Sequence, residues 1–89
     1  MVKWTLKYTK QVTSDSLKLT QVGLKEKTQR LLDIIAEDPY KTPPSFEKLI
    51  GFQNVYSRRI NIQHRLVYEV IKEKKTVKIL SLWGHYEDN

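Results

Sequence analysis

The chain contains no cysteine. Disulfides, thiolate nucleophiles and cysteine-ligated zinc are thereby excluded, and the composition fits a reducing compartment. Glycine is scarce, at three residues, and none lies in a pattern that could form a Gly-rich phosphate loop. Only His64 and His85 can titrate near neutrality as imidazoles, and neither belongs to a Ser-His-Asp set or a His/Asp cluster with metal spacing. No stretch approaches the roughly 20 apolar residues that span a bilayer, and the N-terminus alternates where a leader would carry an apolar run. The expectation is a cytoplasmic protein with no metal, no cofactor and no membrane partner.

What is abundant is positive charge. Sixteen Lys plus Arg stand against ten Asp plus Glu, a formal charge of +6, which favours a polyanionic partner. The lysines are scattered, but three of the four arginines, Arg58, Arg59 and Arg65, fall within eight positions. Arginine is the side chain suited to bidentate phosphate contacts. With 89 residues and 39% apolar composition, one domain covering residues 1–89 is expected to bury one core.

Val2, Trp4, Leu6 and Tyr8 alternate with polar residues, the period of a half-buried strand. Residues 10–22 carry Val12, Leu17, Leu19 and Val22 at weakly helical spacing and end at Gly23. Residues 24–37 give a firmer apolar stripe, Leu24, Leu31, Leu32, Ile34 and Ile35, stopped by Pro39. The Pro-rich residues 38–45 predict a surface connection. Strands follow at 55–60, 64–71 and 76–82, with a charged turn at 72–75. The order β-α-α-β-β-β indicates an α+β domain, an antiparallel sheet packed on an αα-hairpin.

Three residues, Asn61-Ile62-Gln63, separate the first two of these later strands, a common hairpin length although no Gly is present. A loop symmetric about Ile62 pairs Arg59 with Arg65. Alternation then turns Leu66, Tyr68 and Val70 towards the helices and Arg65, Val67 and Glu69 to the open face. Like charges opposed across a ladder cost stability. An exposed Arg is ordinarily just a solvated charge, but a phosphate between two opposed guanidinium groups would neutralise their repulsion.

Acid-base candidates are few. His85, beside Gly84 and Tyr86 and four residues from the C-terminus, has no evident structural duty, while His64 reads as a turn or core residue. Glu47 follows the prolines; it is either a solvated loop carboxylate or, if placed beside the arginines, a base for a ribose 2′-hydroxyl. Tyr86 could stack on a base or cover the sheet edge. RNA brings its own nucleophile, so its cleavage needs only a base, an acid and cationic stabilisation.

The segments Tyr56-Ser57-Arg58-Arg59-Ile60, His64-Arg65-Leu66-Val67-Tyr68 and His85-Tyr86, with Glu47-Lys48-Leu49 after the prolines, resemble the Txe/YoeB family of RelE-type toxins over nearly the whole chain. The resemblance implies a compact microbial-ribonuclease-like RelE fold and metal-independent cleavage of mRNA on the ribosome. It also implies inhibition by a cognate acidic antitoxin of the YefM/Phd kind, through which alone operator DNA is reached. Carried onto matching positions, it makes Glu47 the general base and His85 the general acid. Arg65 becomes catalytic, Arg58, Arg59 and Lys48 contact phosphate, and Tyr86 positions the RNA. Two departures stand out: residues 48–56 are one residue shorter than is usual, and Glu87-Asp88-Asn89 extends past Tyr86.

Two other functions stay open, the first implied by the resemblance and the second by the +6 charge. A toxin of the same fold could bind and inhibit DNA gyrase without catalysis, and a basic module could bind nucleic acid without cutting it. The first has no use for Glu47, Arg65 and His85 together. The second predicts salt-dependent affinity without cleavage.

Overall fold

The computed structural model describes residues 4–83. Strand β1 (Thr5–Tyr8) leads into helix α1 (Lys10–Gln21), whose first turn is capped by Thr9. The Thr9 hydroxyl oxygen accepts the Val12 N–H at 3.3 Å and also donates to the Leu80 carbonyl at 3.0 Å, tying the helix start to the sheet. Gly23, at φ +78°, closes the helix: the Leu24 N–H reaches the Leu19 carbonyl and the Gly23 N–H the Thr20 carbonyl. That double bond pattern is a Schellman motif, and its left-handed residue strains any side chain but glycine's. Helix α2 (Lys25–Glu37) runs back from it.

Four further strands follow: β2 (Glu47–Lys48), β3 (Val55–Arg59), β4 (Arg65–Ile71) and β5 (Thr76–Ser81). The sheet order is β1-β5-β4-β3-β2. The sequence predicted an antiparallel sheet without β2; the sheet is instead mixed, because β1 and β5 run parallel. The helical hairpin and the segment after it carry the chain to the far edge. There β2 starts a meander that reverses three times and brings β5 home alongside β1. Two residues are too few for a hydrophobic period to reveal, so β2 leaves no sequence signature.

Leu66, Tyr68 and Val70 of β4, with Val77 and Ile79 of β5, face the helices and pack against Val12, Leu19, Leu31, Leu32 and Ile35. The predicted register holds, with Arg59 opposite Arg65 and Arg58 opposite Leu66. The glycine-free loop is stabilised by Asn61, whose side-chain oxygen accepts the N–H groups of Gln63 (2.9 Å) and His64 (2.8 Å). This Asx turn does the work a glycine would otherwise do. The charged turn after β4 is a single 3₁₀ turn (Lys72–Lys74) ending in left-handed Lys75.

Candidate active site on the open sheet face

The face of the sheet turned away from the helices carries Glu47 on β2, Ser57 and Arg59 on β3, and Arg65 on β4. Glu47, Ser57 and Val67 share one cross-strand row, and Arg59 and Arg65 form the adjacent pair on β3 and β4. Ser57 is buried and small, which lets Arg65 lie across it to reach a residue two strands away. Arg65 Nε donates to Ser57 Oγ at 3.1 Å, and Arg65 Nη2 donates to Glu47 Oε1 at 2.8 Å. The arginine side chain is only 21% exposed while the carboxylate is 69% exposed, so the pair has a fixed cation and an accessible carboxylate. Arg59 is exposed directly across from Arg65, their Cβ atoms separated by roughly 5 Å. Glu47 offsets one of these two charges, and among the described residues no ion pair offsets the other.

The remaining predicted site residues divide. Arg58 does not contact phosphate in this fold, because it points to the helix side and is completely buried. Its Nε donates to the Tyr68 hydroxyl (3.1 Å), Nη1 to the Pro44 carbonyl (2.7 Å) and Nη2 to the Pro39 carbonyl (3.0 Å). The guanidinium also lies 5.0 Å from the Phe46 ring centroid. The Pro-rich segment is the surface connection predicted, with residues 41–43 and Ser45 exposed, but it is pinned from beneath: Pro39 is buried and Arg58 holds the segment that delivers Glu47 to β2. Lys48 is exposed, but its place opposite Tyr56 puts it on the other face from Glu47. His85 and Tyr86 lie outside the described residues.

An aromatic cluster surrounds the Arg58 anchor. Tyr40 meets Phe46 and Tyr56 at ring separations of 6.1 and 5.6 Å, and Tyr56 meets Tyr68 at 5.9 Å. Burial, reinforced by neighbouring Tyr56, pushes the Tyr40 hydroxyl up to about 12. Burial also raises Tyr68, against the opposing pull of the Arg58 charge.

Sequence reasoning missed the clamp on the end of β5. Asp15, in α1, is buried and accepts the Leu82 N–H at 2.9 Å and the Gln11 amide at 2.8 Å. The signal was available, since Asp15 sits between Val12 and Leu19 in the buried stripe of α1. His64 stacks on Trp83 at 4.0 Å, and Lys18 lies 5.6 Å from the Trp83 ring centroid. His64 is thus a packed structural residue, and the chain leaves this clamp two residues before His85. Among the described residues, no three His, Cys, Asp or Glu come together to hold a metal ion.

The sequence model of a family described as "YoeB-like toxin of bacterial type II toxin-antitoxin system" matches residues 8–86. Comparison with curated proteins finds no match. Among solved structures, the fold is similar to a YoeB/ParE toxin from Agrobacterium tumefaciens, with TM-score 0.82 and 25% identity over 92% of this chain and 99% of that one. It is similar to the YoeB dimer from Staphylococcus aureus, with TM-score 0.80 and 31% identity over 94% of this chain and 99% of that one. It also resembles the toxin of a YoeB-YefM complex from Staphylococcus aureus, with TM-score 0.76 and 31% identity over 93% and 98% of the two chains.

Proposed function

The chain belongs to the YoeB-like toxins of bacterial type II toxin-antitoxin systems, and we propose that it acts as an endoribonuclease that cuts mRNA on the ribosome. The observation that carries the proposal is the Glu47–Arg65 pair, 2.8 Å apart on an open face beside Arg59. A carboxylate alone on that face would be a solvated charge. Held against a guanidinium and next to a second cation, it is a base adjoining a phosphate site.

Glu47 takes the proton of a ribose 2′-hydroxyl, and the 2′-oxygen attacks the adjacent phosphorus. Arg65 and Arg59 share the charge that develops on the non-bridging oxygens. The bond from phosphorus to the 5′-oxygen breaks, His85 protonates that oxygen, and the products are a 2′,3′-cyclic phosphate and a 5′-hydroxyl. Tyr86 orients the RNA by stacking. In its resting state Arg65 is satisfied by Glu47 and Ser57, so an arriving phosphate replaces part of that bonding and frees the carboxylate to act.

The proposed protein partner is a cognate antitoxin with an acidic segment that covers the same face, as coupled folding over a basic surface allows. Support comes from the Staphylococcus aureus relative, whose structure is a complex with YefM. Contact with operator DNA falls to that antitoxin. No described helix is long and apolar enough to cross a membrane.

The test is a translation reaction with intact ribosomes, in which mRNA cleavage by the wild type is compared with Glu47→Gln, Arg65→Ala and His85→Ala. Each folded variant is expected to cut at least tenfold more slowly. Wild-type rates in all three sink the assignment, and inhibition of DNA gyrase supercoiling without RNA cleavage points to the non-catalytic alternative.

A further inference from the structure

Glu47, Arg59 and Arg65 occupy one end of the open face. Towards the other end a second pair of like charges stands in register, Lys7 on β1 beside Lys78 on β5. Both are exposed, and neighbouring strands bring their Cβ atoms within about 5 Å. Lys78 pairs with Glu69, which alternates with core-facing Tyr68, so the lysines point away from the helices as Arg65 does. Although Glu69 lies directly across from Lys78, no ion pair engages either lysine among the described residues. Four residues along β4 and one strand across place Lys78 about 14 Å from Arg65.

We propose that the Lys7–Lys78 pair is a second phosphate-binding site, taking the backbone of the RNA strand whose scissile phosphate lies between Arg59 and Arg65. The proposal rests on the endoribonuclease reading for where that phosphate lies, and not on cleavage itself. A lone exposed lysine is ordinarily a solvated charge. Two held side by side oppose sheet formation, and here that happens twice on one face: once with lysines, with which neighbouring Glu69 forms no ion pair, and once with arginines, of which Glu47 engages Arg65 alone among the described residues. A single polyanion crossing the face relieves both. RNA suits the arrangement better than an acidic peptide, because its phosphates recur at a regular interval along one strand and serve both the forked guanidinium groups and the point charges of lysine.

The experiment measures binding of 2′-O-methyl RNA, which cannot be cleaved by 2′-oxygen attack, as a function of salt. One oligonucleotide is long enough to reach both pairs and the other reaches only the arginines. Lys7→Gln/Lys78→Gln removes a repulsion from an exposed surface and is expected to melt no lower than the wild type. For the long oligonucleotide the slope of log affinity against log salt should fall by about 1.4, roughly 0.7 for each lost phosphate contact. Between about 50 and 200 mM salt the variant then loses about sevenfold less affinity than the wild type. The short oligonucleotide should bind both proteins alike.

An unchanged slope for the long RNA overturns the proposal, as does an equal fall for both RNAs, which would mark a diffuse field. Failure of the wild type to bind the long RNA overturns it too. Loss of affinity for polyglutamate but not for RNA would reassign the surface to an acidic protein segment. A wild type that binds with the expected slope yet leaves mRNA uncut on ribosomes would defeat the endoribonuclease reading and leave this site standing.

Discussion

Arg58 and Arg59 are adjacent in sequence and opposite in duty, and replacing each with alanine should separate stability from RNA contact. Arg58 is fully buried and makes three hydrogen bonds, to the Tyr68 hydroxyl and the carbonyls of Pro39 and Pro44. Arg58→Ala leaves the part-buried Pro44 carbonyl without its guanidinium donor, at the lower end of the about 1–3 kcal/mol that an unmet buried acceptor costs. It also opens a cavity beneath Phe46, and truncating a large buried side chain costs about 2–5 kcal/mol. The Pro39 carbonyl keeps its bond from the Tyr68 hydroxyl at 2.8 Å, so it adds little. Removing a desolvated charge returns several kcal/mol. Destabilisation is the expected sign, and each 1 kcal/mol of it lowers the melting temperature of a domain of this size by roughly 4–8 °C.

Arg59→Ala removes an exposed charge that faces Arg65, and should leave stability within about 0.5 kcal/mol. Its effect falls on RNA affinity and cleavage. Thermal unfolding followed by tryptophan fluorescence, alongside RNA binding at low salt, reads both quantities in both variants. If Arg58→Ala melts with the wild type and weakens RNA binding as much as Arg59→Ala does, the buried anchor is wrong and Arg58 belongs to the phosphate site after all.

Three more substitutions probe the supports of the site. Ser57→Ala removes the oxygen that accepts Arg65 Nε, so cleavage on ribosomes should fall about tenfold, the worth of one charge-assisted hydrogen bond, while the melting temperature shifts by only a few degrees. Asp15→Ala orphans the buried Leu82 N–H and should cost about 1–3 kcal/mol in urea unfolding, with cleavage falling further than stability if the clamp also sets the approach to His85. The Tyr40 hydroxyl is buried without a well-formed hydrogen bond, but it interacts with neighbouring Tyr56, so Tyr40→Phe should leave stability at neutral pH within about 1 kcal/mol of the wild type. The same hydroxyl is raised from 10.0 in the unfolded chain to about 12 in the fold, so its contribution is complete below pH 10.0 and is lost as pH climbs through about 12. Melting curves across that window should drop more steeply for the wild type than for Tyr40→Phe.

Much of this architecture was legible because periodicity is a local property. The stripe of α2, the glycine stop of α1 and the two strands around Asn61 all follow from spacing and turn chemistry, and the loop symmetry fixed Arg59 against Arg65. That same symmetry pairs Arg58 with Leu66, a residue already turned towards the helices, so the burial of Arg58 was implied by the register and obscured by the expectation that arginines seek water. The parallel β1–β5 pairing and the two-residue β2 were not legible. Both are decided by where the chain goes after α2, a matter of tertiary packing with no local period. The resemblance to the toxin family supplied Glu47; the residues alone left it a loop carboxylate until β2 set it in register with Ser57.

The two faces of the sheet solve opposite problems. On the helix side, Arg58 is surrounded by acceptors and aromatic rings, so its charge serves folding and is unavailable to a ligand. On the open side, Arg59 faces Arg65 and Lys7 faces Lys78, pairings that fold poorly by themselves and gain from an anion. Glu47 joins the two problems: the anchored segment brings it to β2, and Arg65 draws it across Ser57. A carboxylate placed to relieve half of a cationic pair also stands where a base must stand once a phosphate relieves the rest. The electrostatic cost of the open face and the chemistry proposed for it therefore have one origin, the register that opposes Arg59 and Arg65.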